Sequence, residues 1–218
     1  MNNKQTYLTR ASSALLIFIM LGYLVKFYPE TLTNFDSSIQ SAIRGNLPKT
    51  LTTFYKIVTE FGNEVFIFIY VFAIAAIFYI WKRWKAEAYF LVINLLAMGV
   101  FSTVFKYLYG RERPSLAYLI PKPMGPSFPS WHAASTMIVA LTLLIVIEQR
   151  LSKSYVKRII QGLFLLIAVL TAISRIYLGV HYPSDIVGGW LLAYTIATVA
   201  FPFYDQKRFE WRFQSKQK

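Results

Sequence analysis

The chain has no cysteine, which excludes disulfides and thiol chemistry and leaves its compartment unmarked by redox habit. It has only two histidines, His132 and His181, in 218 residues. Charge is scarce, at 15% of residues against roughly 25% in a soluble protein. Acids are scarcest, ten against twenty-three Lys and Arg, for a net charge of +13. No internal repeat or low-complexity segment is present. No nucleic-acid-binding fold or exposed basic stripe is visible, so nucleic acid is not an expected partner. The basic excess reads instead as charge that flanks membrane spans and faces anionic lipid. What abounds is apolar: 56% of residues are hydrophobic, above the roughly 45–50% of a soluble domain. This composition specifies an integral membrane protein, one bundle over 1–218 with no separate soluble domain.

Six apolar runs are long enough to cross a ~30 Å hydrocarbon core as helices. The first is Ala14 to Val25, behind Lys4 and Arg10. The residues after it offer no small-residue cleavage site, so it is read as an uncleaved span. The second is Val65 to Trp81, the third Ala88 to about Phe105, and the fourth Ser130 to Ile147. The fifth covers about Ile159 to Ile173, and the sixth Ile186 to Phe203, before a basic tail. The expected fold class is therefore all-α, a six-transmembrane-helix bundle. Residues 29–62 are too polar to span. Asp36 is placed to cap a short amphipathic helix ending at Ile43. Thr50 to Phe61 is a second amphipathic helix, with Leu51, Phe54, Ile57, Val58 and Phe61 on one face. Both are expected to be short interfacial helices after the first span.

With the N-terminus inside, cytoplasmic segments carry fourteen Lys and Arg and outer segments nine. The bias places both termini in the cytoplasm of a multi-pass cell-membrane protein. Three separate stretches then bring Lys106, Arg113, His132, Arg175, His181 and Asp185 to the outer face.

Each stretch has a bland reading by itself. Lys106 and Arg113 are seven apart, two turns if the third helix runs on to Pro114, and can be cations snorkelling at a helix end. Ser130 is an N-cap candidate for the fourth span, whose N-terminus offers free amides and a positive dipole end to an anion, with His132 in its first turn. Ser184 is a cap candidate for the sixth. Asp185 can accept a hydrogen bond from one nitrogen of His181 and leave a lone pair on the other. Arg111 and Lys122, in the Pro-rich 106–132 loop, read as solvated charges or as a second anion contact. Together, three cations, two His and one Asp at one depth make an anion site. A metal is not expected: two His and one Asp are a thin ligand set among repelling cations.

At this point the chain resembles the type 2 phosphatidic acid phosphatase (PAP2, lipid phosphate phosphatase) family. The family motifs Lys-x6-Arg-Pro, Pro-Ser-Gly-His and Ser-Arg-x5-His-x3-Asp appear in order. Here they are Lys106 to Arg113-Pro114, Pro129-Ser130-Trp131-His132, and Ser174-Arg175 through His181 to Asp185. The matched core spans 106–185. One position departs: Trp131 stands where the family usually has Gly. Trp keeps its amide for an anion, and its ring is expected to meet lipid at the interface.

The resemblance implies a phosphatase that uses no cofactor and no metal. By resemblance, His181 is the nucleophile that becomes a phosphohistidine, Asp185 supports it, and His132 is the general acid and then the base. Lys106, Arg113, Arg175 and Ser130 hold the phosphate. The layout resembles bacterial phosphatidylglycerophosphatase B-type enzymes. The implied partner is a phosphorylated membrane lipid within the bilayer, and no protein partner is inferable. Phosphatidylglycerophosphate, hydrolysed to phosphatidylglycerol, is the favoured substrate and undecaprenyl diphosphate, of the cell-wall lipid carrier, the alternative. Vanadate-dependent peroxidase chemistry is disfavoured because such relatives are soluble. A transporter is disfavoured because the charges sit at span ends and not at midplanes.

Overall fold

The structure, a computed structural model, describes residues 2–152 and 155–214. Lys153, Lys216 and Lys218, three of the charges counted for orientation, lie outside the described residues. Among the described residues there are helices and no strands. The long helices are α1 (Asn2–Phe27), α4 (Glu64–Ala76, continued by a wider turn Ile77–Trp81), α5 (Lys85–Tyr109), α6 (Trp131–Arg150), α7 (Tyr155–Tyr177) and α8 (Pro183–Gln214). All six are long and apolar enough to cross a membrane. Between α1 and α4 lie α2 (Thr33–Arg44) and α3 (Lys49–Thr59), each flanked by a short tight turn, Pro29–Leu32 and Glu60–Gly62.

The most enclosed span is α6, which packs against α5, α7 and α8. Its sequence explains why. Ala133, Ala134, Ser135 and Ala140 are small and let neighbouring backbones approach. Its buried hydroxyls bond to their own helix: Thr136 Oγ1 donates to His132 O at 2.7 Å, and Thr142 Oγ1 to Ile138 O at 2.7 Å. Asn94 of α5 donates to Thr142 Oγ1 at 2.9 Å, tying the two spans together. The first span lies along α8, burying Ala11, Ala14, Phe18 and Val25 at helical spacing. Phe18 stacks on Phe128 with ring centroids 5.7 Å apart and so fastens the loop before α6 to α1.

Two details resolve differently from the sequence. The third span runs to Tyr109 and does not meet the condition that it continue to Arg113. Gly110 ends α5 in a left-handed conformation, φ +63°, and its amide donates back to Lys106 O at 2.9 Å. Lys106 and Arg113 are therefore not two helical turns apart, and Arg113 belongs to the loop. Asp36 does not cap α2 either. Leu32 holds the cap position, while Asp36 lies buried in the first turn and bonds across the chain. The amphipathic helices pack on α7 and roof one end of the bundle, with Phe35, Leu51, Phe54 and Ile57 exposed.

Candidate active site

The roofed end gathers the C-termini of α5 and α7, the N-termini of α6 and α8, and the loops between them. Arg175 is held near the end of α7. Its Nη1 donates to Thr59 Oγ1 at 2.7 Å, and its Nε is buried without a partner. The chain then turns through 178–182 and enters α8 at Pro183, which suits a first helical position. This turn places His181 four residues before Asp185. His181 Nδ1 lies 3.1 Å from Asp185 Oδ2, and its Nε2 lies 3.3 Å from Arg113 Nη1. An arginine only donates, so Nε2 is the acceptor and Nδ1 carries the proton toward the carboxylate. The imidazole is therefore neutral, with one nitrogen oriented and the other basic. Burial first, then Arg175, Lys106, Arg113 and Arg111, push its pKa well below the ordinary histidine value.

The cations are held by backbone carbonyls. Lys106 Nζ donates to Pro126 O at 2.7 Å. Arg113 donates to Val180 O at 2.9 Å and to Gly125 O at 3.1 Å. Burial lowers the Arg113 pKa, and Asp185 offsets part of that. Among the described residues, no carboxylate lies within salt-bridge distance of Lys106, Arg113 or Arg175.

Ser130 occupies the N-cap position of α6 in extended conformation, but its side chain makes no cap bond. Its Oγ is buried with no partner. Ala134 N–H makes the first helical bond, to Ser130 O at 3.0 Å, so the amides of 131–133 have no intrahelical acceptor. His132 sits in this first turn within electrostatic reach of His181, Arg175, Lys106 and Arg113. It is pressed by the roof. A Cβ on Gly62 would come within 2.8 Å of His132 Cβ, so only glycine permits this approach.

Other residues stand where the sequence did not put them. Arg111, read as a solvated loop charge or a second anion contact, has a side chain only 8% exposed. It donates to Asp185 Oδ1 at 2.7 Å and Asp36 Oδ2 at 2.8 Å, and stacks 3.9 Å over the Tyr182 ring. Burial opposes its charge, but Asp185 and Asp36 outweigh burial and raise its pKa. Lys122 is exposed. Ser184 does not cap α8; its Oγ donates to Asp36 Oδ2 at 2.7 Å. Trp131 does not face lipid alone: its ring is half-buried, 6.5 Å from the Phe68 ring and over Gly99. Asp36, Thr59 and Gly62 were missed in the sequence. The one signal for Asp36 was an acid inside the amphipathic stretch of a chain poor in acids.

Among the described residues the site thus offers a neutral imidazole with one basic nitrogen, a second imidazole, three cations with no carboxylate in salt-bridge distance, and free amides with an idle hydroxyl. That set suits in-line displacement on a phosphoryl group. A profile of the PAP2 superfamily matches residues 86–209, more than half of the chain. The chain belongs to the PAP2 superfamily. An undecaprenyl-diphosphatase of Sulfolobus acidocaldarius is 33% identical over 184 residues, covering 82% of this chain and 83% of the relative. Phosphatidylglycerophosphatase B of Bacillus subtilis is 31% identical over 140 residues, covering 62% and 66%. The crystal structure of the transmembrane PAP2 type phosphatidylglycerolphosphate phosphatase from Bacillus subtilis superposes with a TM-score of 0.78 and 25% identity, covering 91% of this chain and 96% of that one. This PAP2 protein is accordingly an all-helical, multi-pass membrane protein of a lipid-phosphatase family.

Proposed function

We propose that this PAP2 protein hydrolyses the phosphate of a lipid head group through a phosphohistidine. The observation that carries the reading is the oriented His181, with Nδ1 on Asp185 and Nε2 turned toward Arg113. In this reading Nε2 attacks phosphorus, the P–O bond to the lipid breaks, and protonated His132 gives its proton to the leaving oxygen. A water then attacks the phosphohistidine, His132 takes its proton, and phosphate leaves with His181 restored. Asp185 keeps Nδ1 as the oriented position through both steps. Lys106, Arg113 and Arg175 hold the phosphoryl oxygens, with Ser130 and the 131–133 amides on the same group. These cations supply the charge stabilisation that a metal supplies elsewhere, so EDTA is expected to leave turnover unchanged.

The favoured substrate is phosphatidylglycerophosphate. Arg111 supports a monoester, because two carboxylates occupy its donors and leave it unfree for a second phosphate. Undecaprenyl diphosphate is the second reading, supported by the Sulfolobus acidocaldarius relative. Phosphate release from both lipids, measured side by side in detergent, decides between them. A higher kcat/KM for the diphosphate would overturn the favoured substrate, and activity that survives His181→Ala would overturn the mechanism.

The site is proposed to face the extracytoplasmic side of the cell membrane, with both termini cytoplasmic. The chain's lack of cysteine makes the test direct. In intact cells, Lys122→Cys is expected to react with an impermeant maleimide. Labelling only after the cells are opened would reverse the orientation.

A further inference from the structure

Asp185 is 0% exposed, and a buried carboxylate needs partners on both oxygens. Oδ2 accepts from His181 and from the Tyr182 amide, the latter at 2.9 Å. Oδ1 accepts from Arg111 Nη1 at 2.7 Å. Arg111 is itself held from behind. Its Nη2 donates to Asp36 Oδ2 at 2.8 Å, and its Nη1 also reaches Ser184 Oγ at 2.7 Å. Asp36 accepts twice more, from the Ser184 amide at 2.9 Å and the Ser184 hydroxyl at 2.7 Å. The result is a chain from the neutral His181 through the alternating charges of Asp185, Arg111 and Asp36, built from α8 with the turn before it, the 110–130 loop and α2. Asp36 and α2 lie outside the residues 86–209 that match the family.

Arg111 needs this restraint because it borders open space. A cavity of about 570 Å³ runs between α1, α2 and the loop, lined by Lys26, Asp36, Tyr109, Arg111, Glu112 and Tyr182. A guanidinium freed of Asp36 has room to turn into that cavity, or toward an anionic substrate. Asp185 Oδ1 would then keep only the long contact from Ser127 Oγ at 3.5 Å.

We infer that Asp36 is a positioning residue for the reaction, acting through Arg111 and Ser184 to fix the carboxylate that orients His181. The inference rests on the phosphatase reading. Asp36 touches neither phosphate nor imidazole, so its loss should slow the chemical step and spare binding. Its charge also reaches His181 through Arg111. The other ionisable groups facing His181 are Asp185 on α8, Arg113 in the loop, Lys106 on α5, Arg175 on α7 and His132 on α6.

The test uses the full chain in detergent with whichever of phosphatidylglycerophosphate and undecaprenyl diphosphate the wild type hydrolyses. Asp36→Asn should lower kcat by roughly 10–100-fold with KM nearly unchanged. It removes a negative charge, so the acid limb of the pH–rate profile should move to lower pH. Arg111→Gln removes a positive charge and should move that limb to higher pH. Asp36→Glu should recover most of kcat, whereas Arg111→Lys, which keeps charge but loses the fork, should not. A mere anchor for α2 predicts lower thermal stability with kcat per folded molecule and both limbs unchanged. That result, or limbs moving in the same direction, would overturn the inference. Should Asp36→Asn not fold, Asp36→Glu and Arg111→Lys decide, and a wild-type kcat in Arg111→Lys overturns it. A wild type that releases no phosphate from any phospholipid or from undecaprenyl diphosphate would instead overturn the phosphatase reading.

Discussion

The two ends of the bundle are built from the same parts and put them to different uses. Both bury a carboxylate under an arginine: Asp185 under Arg111 at the roofed end, Glu87 under Arg150 at the other. At the far end the packed charges are paired. Arg150 pairs with Glu87, Lys157 with Glu148, and Arg208 with Asp205. Tyr204 adds its hydroxyl to Glu87 and Gln149, and its ring stacks on Phe90 at 4.2 Å. At the roofed end, among the described residues, Lys106, Arg113 and Arg175 have no carboxylate within salt-bridge distance. A balanced cluster is a fastening. A cluster with surplus cations and idle donors is the arrangement expected of an anion site.

The largest expected effect separates the ends outright. His181→Ala should abolish phosphate release, by roughly a thousandfold or more, while the protein still folds. Arg150→Ala should do the opposite. Leaving Glu87 buried without its cation, with only the Tyr204 hydroxyl, costs about 3–5 kcal/mol of stability, with kcat per folded molecule close to wild type. Parallel assays of phosphate release and thermal unfolding read both. A far-end variant that loses chemistry without losing stability would break the division.

Arg175 sharpens it next. Arg175→Lys keeps the charge but loses the planar fork that Thr59 steadies and that leaves Nε facing inward. The expected loss in kcat/KM is roughly 10²–10³-fold, in the range for removing one donor from a developing oxyanion. Arg150→Lys, the matched change at the far end, should leave kcat/KM unaltered.

The layout was legible in the sequence because hydrophobic length and the order of three motifs are local. Lys106, Arg113, His132, Arg175, His181 and Asp185 were all readable that way, and the fold brings them to one end. What was not legible depends on contacts across long separations. Asp36 meets Ser184, and Thr59 meets Arg175, over more than a hundred residues each, and no periodicity encodes that. Arg111 looked solvated because it lies among prolines and glycines in a loop, yet its partners bury it. Whether α5 would run on to Arg113 stayed open for a simpler reason. Pro114 announces a stop, but Gly110 stops the helix first.

The pH dependence tests the electrostatic half of the comparison. On the proposed mechanism His181 must be neutral to attack, and burial among cations holds its pKa well below 6.5. Lowering the pH therefore protonates it only in distinctly acidic solution. The acid limb of kcat/KM should lie below pH 6.5, the ordinary histidine value, and fall about tenfold per unit beneath it. Arg113→Gln removes one of the cations and should shift the limb toward 6.5, even as overall activity drops. A wild-type limb above 6.5 would mean that the surplus charge does not reach the nucleophile.

The smallest effect carries the sharpest contrast, because stability and activity should move apart. Ser130 Oγ is buried with no partner, a state that is itself unfavourable. Ser130→Ala removes an unsatisfied group, so the melting temperature should stay level or rise. If the hydroxyl waits for a phosphoryl oxygen, kcat/KM should fall by roughly tenfold, the lower end for a hydrogen bond to a charged group. Tyr204→Phe is the counterpart, because that hydroxyl already has two acceptors within 3.2 Å. Its removal should lower the melting temperature and leave kcat/KM intact. Opposite signs in the two assays would show that an unpaired donor marks the functional end and a paired one the structural end. A fall in both assays for Ser130→Ala would make that hydroxyl part of the scaffold.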